Sequence, residues 1–315
     1  MSIEKSIEKS IENFCLIIGT QKGGTTSLFA YLSQHPEIAT SRIKETNFFL
    51  EDSQWERGIS DYISLWNPFD SSQKIALEAS PNYTNSLREA ELVARRVKSV
   101  SADFKFIFKF IYILRDPIEK IASMRAQGVY QGWYEKRLAH ETPTSVPPET
   151  IEPVRYAEII DHFVNEFSSD RVLLLQMNDL RPSGSPAGVM ARVCEFLEID
   201  PAFDFDLSKI HNAQNSYRND TLWHLLRSSD ALSPIKNLFP NALKNRVRSL
   251  LSNPLTVSSD GPKPQAPPLT AAQKTFILQA LSDEFRRLEQ DYGLDLSGWS
   301  CLSNGLSNGL SNGSF

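Results

Sequence analysis

Apolar residues come in two rhythms along this chain. Phe14 to Ile18 form an unbroken apolar run that stops at Gly19, the pattern of a strand covered on both faces. A helical pattern follows from Thr25 to Gln34. Ile75 to Glu78, Phe106 to Leu114 and Arg171 to Gln176 are further strand candidates, and helical periodicity marks Ser86 to Ser99, Pro117 to Gln127, Tyr156 to Phe167 and Ala187 to Leu197. Strands alternating with helices predict an α/β fold, a parallel sheet with right-handed crossovers flanked by helices. In such sheets ligands bind at the carboxyl ends of the strands.

Punctuation sets the limits of this unit. SIEKSIEKSIE at the start and LSNGLSNGLSNG at the end are tandem repeats too polar to bury a core. Residues 1–12 are therefore expected to be a flexible extension, residues 300–315 a disordered tail, and residues 13–299 one domain. Pro-rich stretches at residues 142–153 and 258–268 read as loops within it, the second leading to a last helix.

Charge and cysteine usage narrow the partners. The chain has 315 residues, with 33 Lys and Arg against 38 Asp and Glu and a net charge of −5. That balance argues against coating a nucleic-acid backbone, so an anionic ligand must be held by a local site. Cys15, Cys194 and Cys301 are odd in number and far apart, which predicts no disulfide framework, no metal site and a reducing compartment. The most apolar stretch, Phe104 to Leu114, is broken by Lys105 and Lys109 and falls well short of the ~20 residues of a membrane span. No signal-peptide core is visible at the start, so a cytoplasmic chain without a membrane partner is expected.

The turn after the first strand, Gly19-Thr20-Gln21-Lys22-Gly23-Gly24-Thr25-Thr26-Ser27, lies where an anion site belongs. Glycines let backbone N–H groups turn toward a phosphate, the helix start adds partial positive charge, and hydroxyls add donors. Gly19 and Gly24 keep the offset of the nucleotide-triphosphate loop, G-x-x-x-x-G-K-[ST], but Thr25 stands where its lysine belongs. The lysine has moved forward to Lys22. A terminal triphosphate loses its usual cation, whereas a lysine inside the turn is placed to stabilise charge on the bridging oxygen of a leaving group.

The run Gln21-Lys22-Gly23-Gly24-Thr25-Thr26-Ser27-Leu28 resembles the 5′-phosphosulfate loop of the sulfotransferases that use 3′-phosphoadenylyl sulfate (PAPS). The resemblance implies a P-loop-type parallel sheet in a single domain, with Lys22, Gly23, Gly24, Thr25, Thr26 and Ser27 on the cofactor. Arg115-Asp116-Pro117, with Lys120 and Ser123, is similar to the family's R-D-P-x-x-[RK]-x-x-S pattern. It implies that Arg115 and Ser123 hold the nucleotide 3′-phosphate, with Lys120 a weaker candidate that otherwise faces solvent. Lys44-Glu45-Thr46-Asn47-Phe48-Phe49 resembles the K-E-x-x-F-F segment of the branch containing heparan sulfate and bacterial enzymes, whose glutamate is the catalytic base. Glu45 is then the base that takes the acceptor's proton, with Lys44 a second polar contributor.

Further stations carry the resemblance from about Asn13 to Trp299, with Asp283 to Trp299 similar to the closing helix. Glu78-Ala79-Ser80-Pro81-Asn82-Tyr83 resembles the E-A-S-P-x-Y segment, so Glu78, Ser80 and Tyr83 are expected to line the acceptor pocket; Ala79 stands where relatives often carry lysine. His211-Asn212-Ala213 resembles the segment before a basic loop, which makes Arg218 a 3′-phosphate candidate. Residues 125–148 fall where this fold places a variable lid, with Tyr130, Trp133 and Tyr134 available to pack on an acceptor.

The activity implied is transfer of a sulfonyl group from PAPS to a hydroxyl or amine of a small-molecule metabolite, releasing 3′,5′-ADP without a metal. A lid carrying Arg125, Lys136 and Arg137 against two glutamates suits a small acceptor better than a polyanionic glycan. Bacterial specialised metabolism would fit by family analogy. Two other readings stand beside this one. A P-loop small-molecule kinase using ATP would need the lysine that Gly24 lacks after it, and a non-catalytic sulfotransferase-like binding domain would not need Lys22, Glu45, Arg115 and Ser123 together.

Overall fold

The computed structural model describes residues 11–208 and 266–303. Five strands, β1 (Asn13–Gly19), β2 (Ile38–Thr40), β3 (Ile75–Ala79), β4 (Ile107–Leu114) and β5 (Val172–Gln176), form one sheet in the order β2-β3-β1-β4-β5. Every neighbouring pair is parallel. The longer helices are α1 (Thr25–Leu32), α2 (Leu87–Phe104), α3 (Pro117–Tyr130), α4 (Tyr156–Phe167), α5 (Pro186–Leu197), α6 (Ala271–Ala280) and α7 (Ser282–Gln290).

The unbroken apolar character of β1 has a direct cause in the two cores it separates. Side chains alternate across a strand. Phe14, Leu16 and Ile18 join the core under α2 and α4, whereas Cys15 and Ile17 join the core under α1 and α5. The central strand therefore needs apolar residues at both parities. Cys15, Cys194 and Cys301 are buried as free thiols. No helix among the described residues is long and apolar enough to cross a membrane.

Three expected boundaries shift. The Pro-rich stretch at 142–153 is not all loop: Pro148–Ile151 forms a helical turn and Glu152–Val154 a 3-10 turn, with Ile151 and Val154 buried. Gln273 at the start of α6 donates to the carbonyl of Thr142 at 2.8 Å, so the stretch is held by the far end of the chain. The tail does not begin at residue 300, because Ser300–Ser303 is a helical turn packed on the domain. The domain also starts before residue 13, since Ile11 is buried and the carbonyl of Glu12 accepts from Ile107 N at 2.8 Å. The closing segment is α7 followed by a loop through Gly293 to the buried Trp299.

Strand order decides where a ligand belongs. From β1 the chain turns toward β3 and β2, and from β4 it turns toward β5. The carboxyl ends of β1 and β4 flank this reversal, the crevice in which open α/β sheets bind ligands.

Candidate active site

The turn after β1 is compact because its neighbours leave no room. A Cβ on Gly19 would strike the Thr84 hydroxyl and lie 2.8 Å from the Tyr112 ring, so only glycine fits. Thr20 N donates to Ile113 O at 3.1 Å and Gly23 N to Thr20 O at 3.0 Å, closing the turn against β4. Gly24 then starts α1 at φ 93°, a backbone region that glycine enters without strain, and as the N-cap residue it has no side chain with which to cap the helix. The first N–H groups of a helix lack intrahelical acceptors, and with the helix dipole they favour an anion.

The structure joins the two phosphate-binding motifs expected from the sequence. Arg115 Nη1 donates to the carbonyl of Lys22 at 2.9 Å, across 93 residues of chain. The Arg115 guanidinium also donates to Glu119 Oε2, from Nε at 3.3 Å and Nη2 at 3.1 Å, and Arg181 donates to the same oxygen at 2.9 Å. Tyr156 OH donates to Arg115 O at 2.8 Å and fixes the backbone beneath it. Ser123 lies half-buried on α3, four residues beyond Glu119, so these two follow one helix face, and Arg115 reaches Glu119 from the turn before the helix.

Lys120 departs from expectation. It does not face solvent: it is fully buried, and its ammonium donates to Thr20 Oγ1 and Pro153 O. Burial, reinforced by the nearby Arg115 charge, holds its pKa well below that of an ordinary lysine. It ties the glycine turn to the 3-10 turn after residue 151 from beneath.

On the other side of the crevice, Glu45 and Glu78 occupy opposite environments. The Glu45 side chain is 44% exposed and accepts from Lys44 Nζ at 2.5 Å. Its backbone N donates to Ala79 O at 3.0 Å, and Phe48 and Phe49 are buried in the core, which anchors the segment. Glu78 has no exposed surface. Its Oε1 accepts from Thr46 Oγ1 at 2.7 Å, Ser80 Oγ at 2.7 Å and Tyr83 OH at 2.6 Å, and its Oε2 from Tyr62 OH at 2.6 Å.

Glu78, Ser80 and Tyr83 therefore do not line an acceptor pocket as expected. They form a buried hydroxyl cluster, which a carboxylate inside the protein requires when no cation is beside it. Burial first, and then the Glu78 charge, pushes the Tyr62 and Tyr83 hydroxyls well above their ordinary pKa, so both remain donors at neutral pH.

The lid aromatics divide as well. Tyr134 is buried, its hydroxyl 3.1 Å from Thr150 Oγ1 and donating to Glu141 at 3.3 Å, so it belongs to the interior and not to an acceptor surface. A buried ion pair, Arg125 to Glu141 at 2.6 Å, closes the same region. Trp133 remains 39% exposed and Tyr130 half-buried. Arg218 and His211 lie outside the described residues. Among the described residues no three His, Cys, Asp or Glu gather as metal ligands.

A family model described as a sulfotransferase domain matches residues 13–223. This chain belongs to the sulfotransferase family. The Xenopus laevis bifunctional heparan sulfate N-deacetylase/N-sulfotransferase 1 is 28% identical over 228 residues, covering 64% of this chain and 24% of that protein. The Homo sapiens heparan sulfate glucosamine 3-O-sulfotransferase 6 is 29% identical over 205 residues, covering 62% of this chain and 56% of that protein. The chain thus spans a minor part of the first relative and somewhat over half of the second. A crystal structure of a sulfotransferase from Alicyclobacillus acidocaldarius superposes with a TM-score of 0.48 and 21% identity, covering 78% of this chain and 97% of that one.

Sequence reasoning missed Gln21, Thr46, Asn47, Tyr62 and Asn82 among the residues that shape this sulfotransferase-family site. Gln21, Thr46, Asn47 and Asn82 lie in loops or a single 3-10 turn, which carry no periodicity, and Tyr62 sits in a five-residue helix where it reads as core; only the three-dimensional contacts single them out. Thr46 and Asn47 did stand inside the K-E-x-x-F-F run, next to the residues that were chosen.

Proposed function

We propose that this chain transfers a sulfonyl group from PAPS to a hydroxyl or amine of a small-molecule acceptor. The observation that carries the reading is the 2.9 Å bond from Arg115 Nη1 to the carbonyl of Lys22, which joins the glycine turn to the end of β4 beside a helix start whose N-cap residue is glycine. A donor with phosphates at two ends of one nucleoside fits that pair. Lys22 and the turn through Ser27 would hold the phosphosulfate end, and Arg115 and Ser123 the 3′-phosphate. When bound, PAPS supplies an activated sulfonyl group on a 3′,5′-ADP leaving group.

The residues of this chain then divide the work. Lys22 stabilises charge on the departing oxygen. Glu45 accepts the acceptor's proton, because it is exposed and Lys44 orients it at 2.5 Å, whereas Glu78 is sealed under four hydroxyls. The relatives carry heparan sulfate in their names, but two of the three lid cations here are engaged: Arg125 pairs with Glu141 at 2.6 Å, and Arg137 stacks 5.7 Å over the Trp133 ring. That favours a small acceptor over a polyanion. Three buried free thiols fit a reducing cytoplasm.

The test is label transfer from PAPS to a panel of small hydroxylated and amino compounds, run beside desulfated heparan fragments. Transfer to a small compound supports the reading, and transfer to the glycan alone overturns the acceptor class. Tight 3′,5′-ADP binding without any transfer would point to a binding domain, and magnesium-dependent phosphorylation with ATP to a kinase.

A further inference from the structure

Three non-glycine residues at the site hold a left-handed backbone: Lys22 at φ 63°, Glu45 at φ 62° and Asn47 at φ 49°. Such conformations are unfavourable for side-chain-bearing residues and persist where surroundings over-determine them. All three lie on two loops, the one that follows β1 and the one that follows β2. One side chain spans these loops. Asn82 Oδ1 accepts from Gln21 Nε2, next to Lys22, and Asn82 Nδ2 donates to Asn47 Oδ1 at 3.2 Å, two residues from Glu45.

The support under Asn82 is rigid. It sits half-buried on the 3-10 turn Pro81–Thr84. Tyr83 of that turn is bonded to Glu78 at 2.6 Å, and Thr84 Oγ1 donates to Ile18 O in β1 at 2.9 Å. The Glu45 loop rests on the same base, through Thr46 on Glu78 at 2.7 Å and Asn47 N on Ser80 Oγ at 3.2 Å. We propose that Asn82 is a positioning residue, a strut from Gln21 to Asn47 that sets Lys22 on one loop against Glu45 on the other. This rests on the transfer reaction proposed above. A carboxylate that takes a proton and a lysine that meets the leaving oxygen act on opposite ends of one in-line displacement, so their separation must be held.

Two measurements on the full chain test it. In Asn82→Ala, kcat is expected to fall about 10- to 100-fold, with 3′,5′-ADP affinity within about threefold of wild type and the melting temperature unchanged, whereas in a Glu45→Gln background the same substitution costs less than about threefold. Equal losses in both backgrounds would overturn the strut. In the ligand-free protein, hydrogen exchange of residues 20–24 and 44–49 should accelerate together in Asn82→Ala by about tenfold. Asn82→Asp, which keeps an acceptor for Gln21 but has no amide donor, should loosen residues 44–49 alone. Wild-type exchange at both loops in Asn82→Ala would overturn the proposal. If wild type transfers nothing from PAPS, the functional reading falls, and the exchange measurement still decides the strut.

Discussion

Two helices begin at neighbouring strand ends in this molecule, and the N-cap residue closes only one of them. Helix α1 starts at Gly24, which has no side chain to serve as a cap. Helix α3 starts at Asp116, whose Oδ1 accepts from Ile118 N at 2.9 Å and Glu119 N at 3.2 Å, while its Oδ2 accepts from Ser300 Oγ and Cys301 N, both at 2.9 Å. A third helix, α4, borrows its cap from 127 residues away, with Ala157 N donating to Glu284 Oε2 at 2.7 Å. A carboxylate at the start of α1 would compete with a bound phosphate for the same donors. On the proposed function, the start of α1 is left to an anion because its N-cap residue has no side chain, whereas the start of α3 is closed by Asp116.

The largest effect should come from the open start. Lys22→Ala is expected to lower sulfonyl transfer by about 10³-fold, and a variant retaining a tenth of the wild-type rate in the label assay would remove the charge-stabilising role from that turn. Glu45→Gln should lower kcat by about 10²- to 10³-fold and leave 3′,5′-ADP affinity at the wild-type level, as titration calorimetry can check.

The borrowed cap should show itself through pH. Burial is the main cause that raises the Glu284 carboxyl from 4.5 to about 7, and the Glu158 charge adds to it; Arg155, paired with Glu158 at 2.9 Å, is the nearby cation. A carboxyl whose pKa is raised by folding contributes stability that is complete below 4.5 and lost as pH climbs through 7. The loss is on the order of 3 kcal/mol. Urea unfolding at pH 5 and pH 8 should show that decline in wild type and much less of it in Glu284→Gln. The smallest effect is expected at the closed start, where Asp116→Ala should cost about 1–2 kcal/mol of stability, read as a lower thermal midpoint, with transfer still measurable. If Asp116→Ala instead lost transfer as completely as Lys22→Ala, the division between an open and a closed start would not hold.

Much of this is legible in the sequence. Tyr156–Phe167 forms a helix with the bounds its periodicity predicts, because a 3.6-residue apolar stripe extends over the whole segment. No apolar run delimits strand β2 in the sequence, since Ile38–Thr40 is three residues at a sheet edge, too short for any rhythm to register. The glycine turn could be read because its chemistry is local: a buried strand, a turn that excludes side chains and a helix start are consecutive in the chain.

The sequence by itself therefore determined the alternating strands and helices, the glycine turn with its lysine at residue 22, and the arginine at the end of β4. Only the tertiary structure decided which polar side chains reach solvent. It sealed Glu78 under four hydroxyls, buried Lys120 beneath the turn, drew Tyr134 inside and set Asn82 between two loops. The reason is physical: an apolar run states its own burial, whereas a polar group can be buried only where donors or acceptors from distant segments satisfy it, and those segments meet only when the chain is folded.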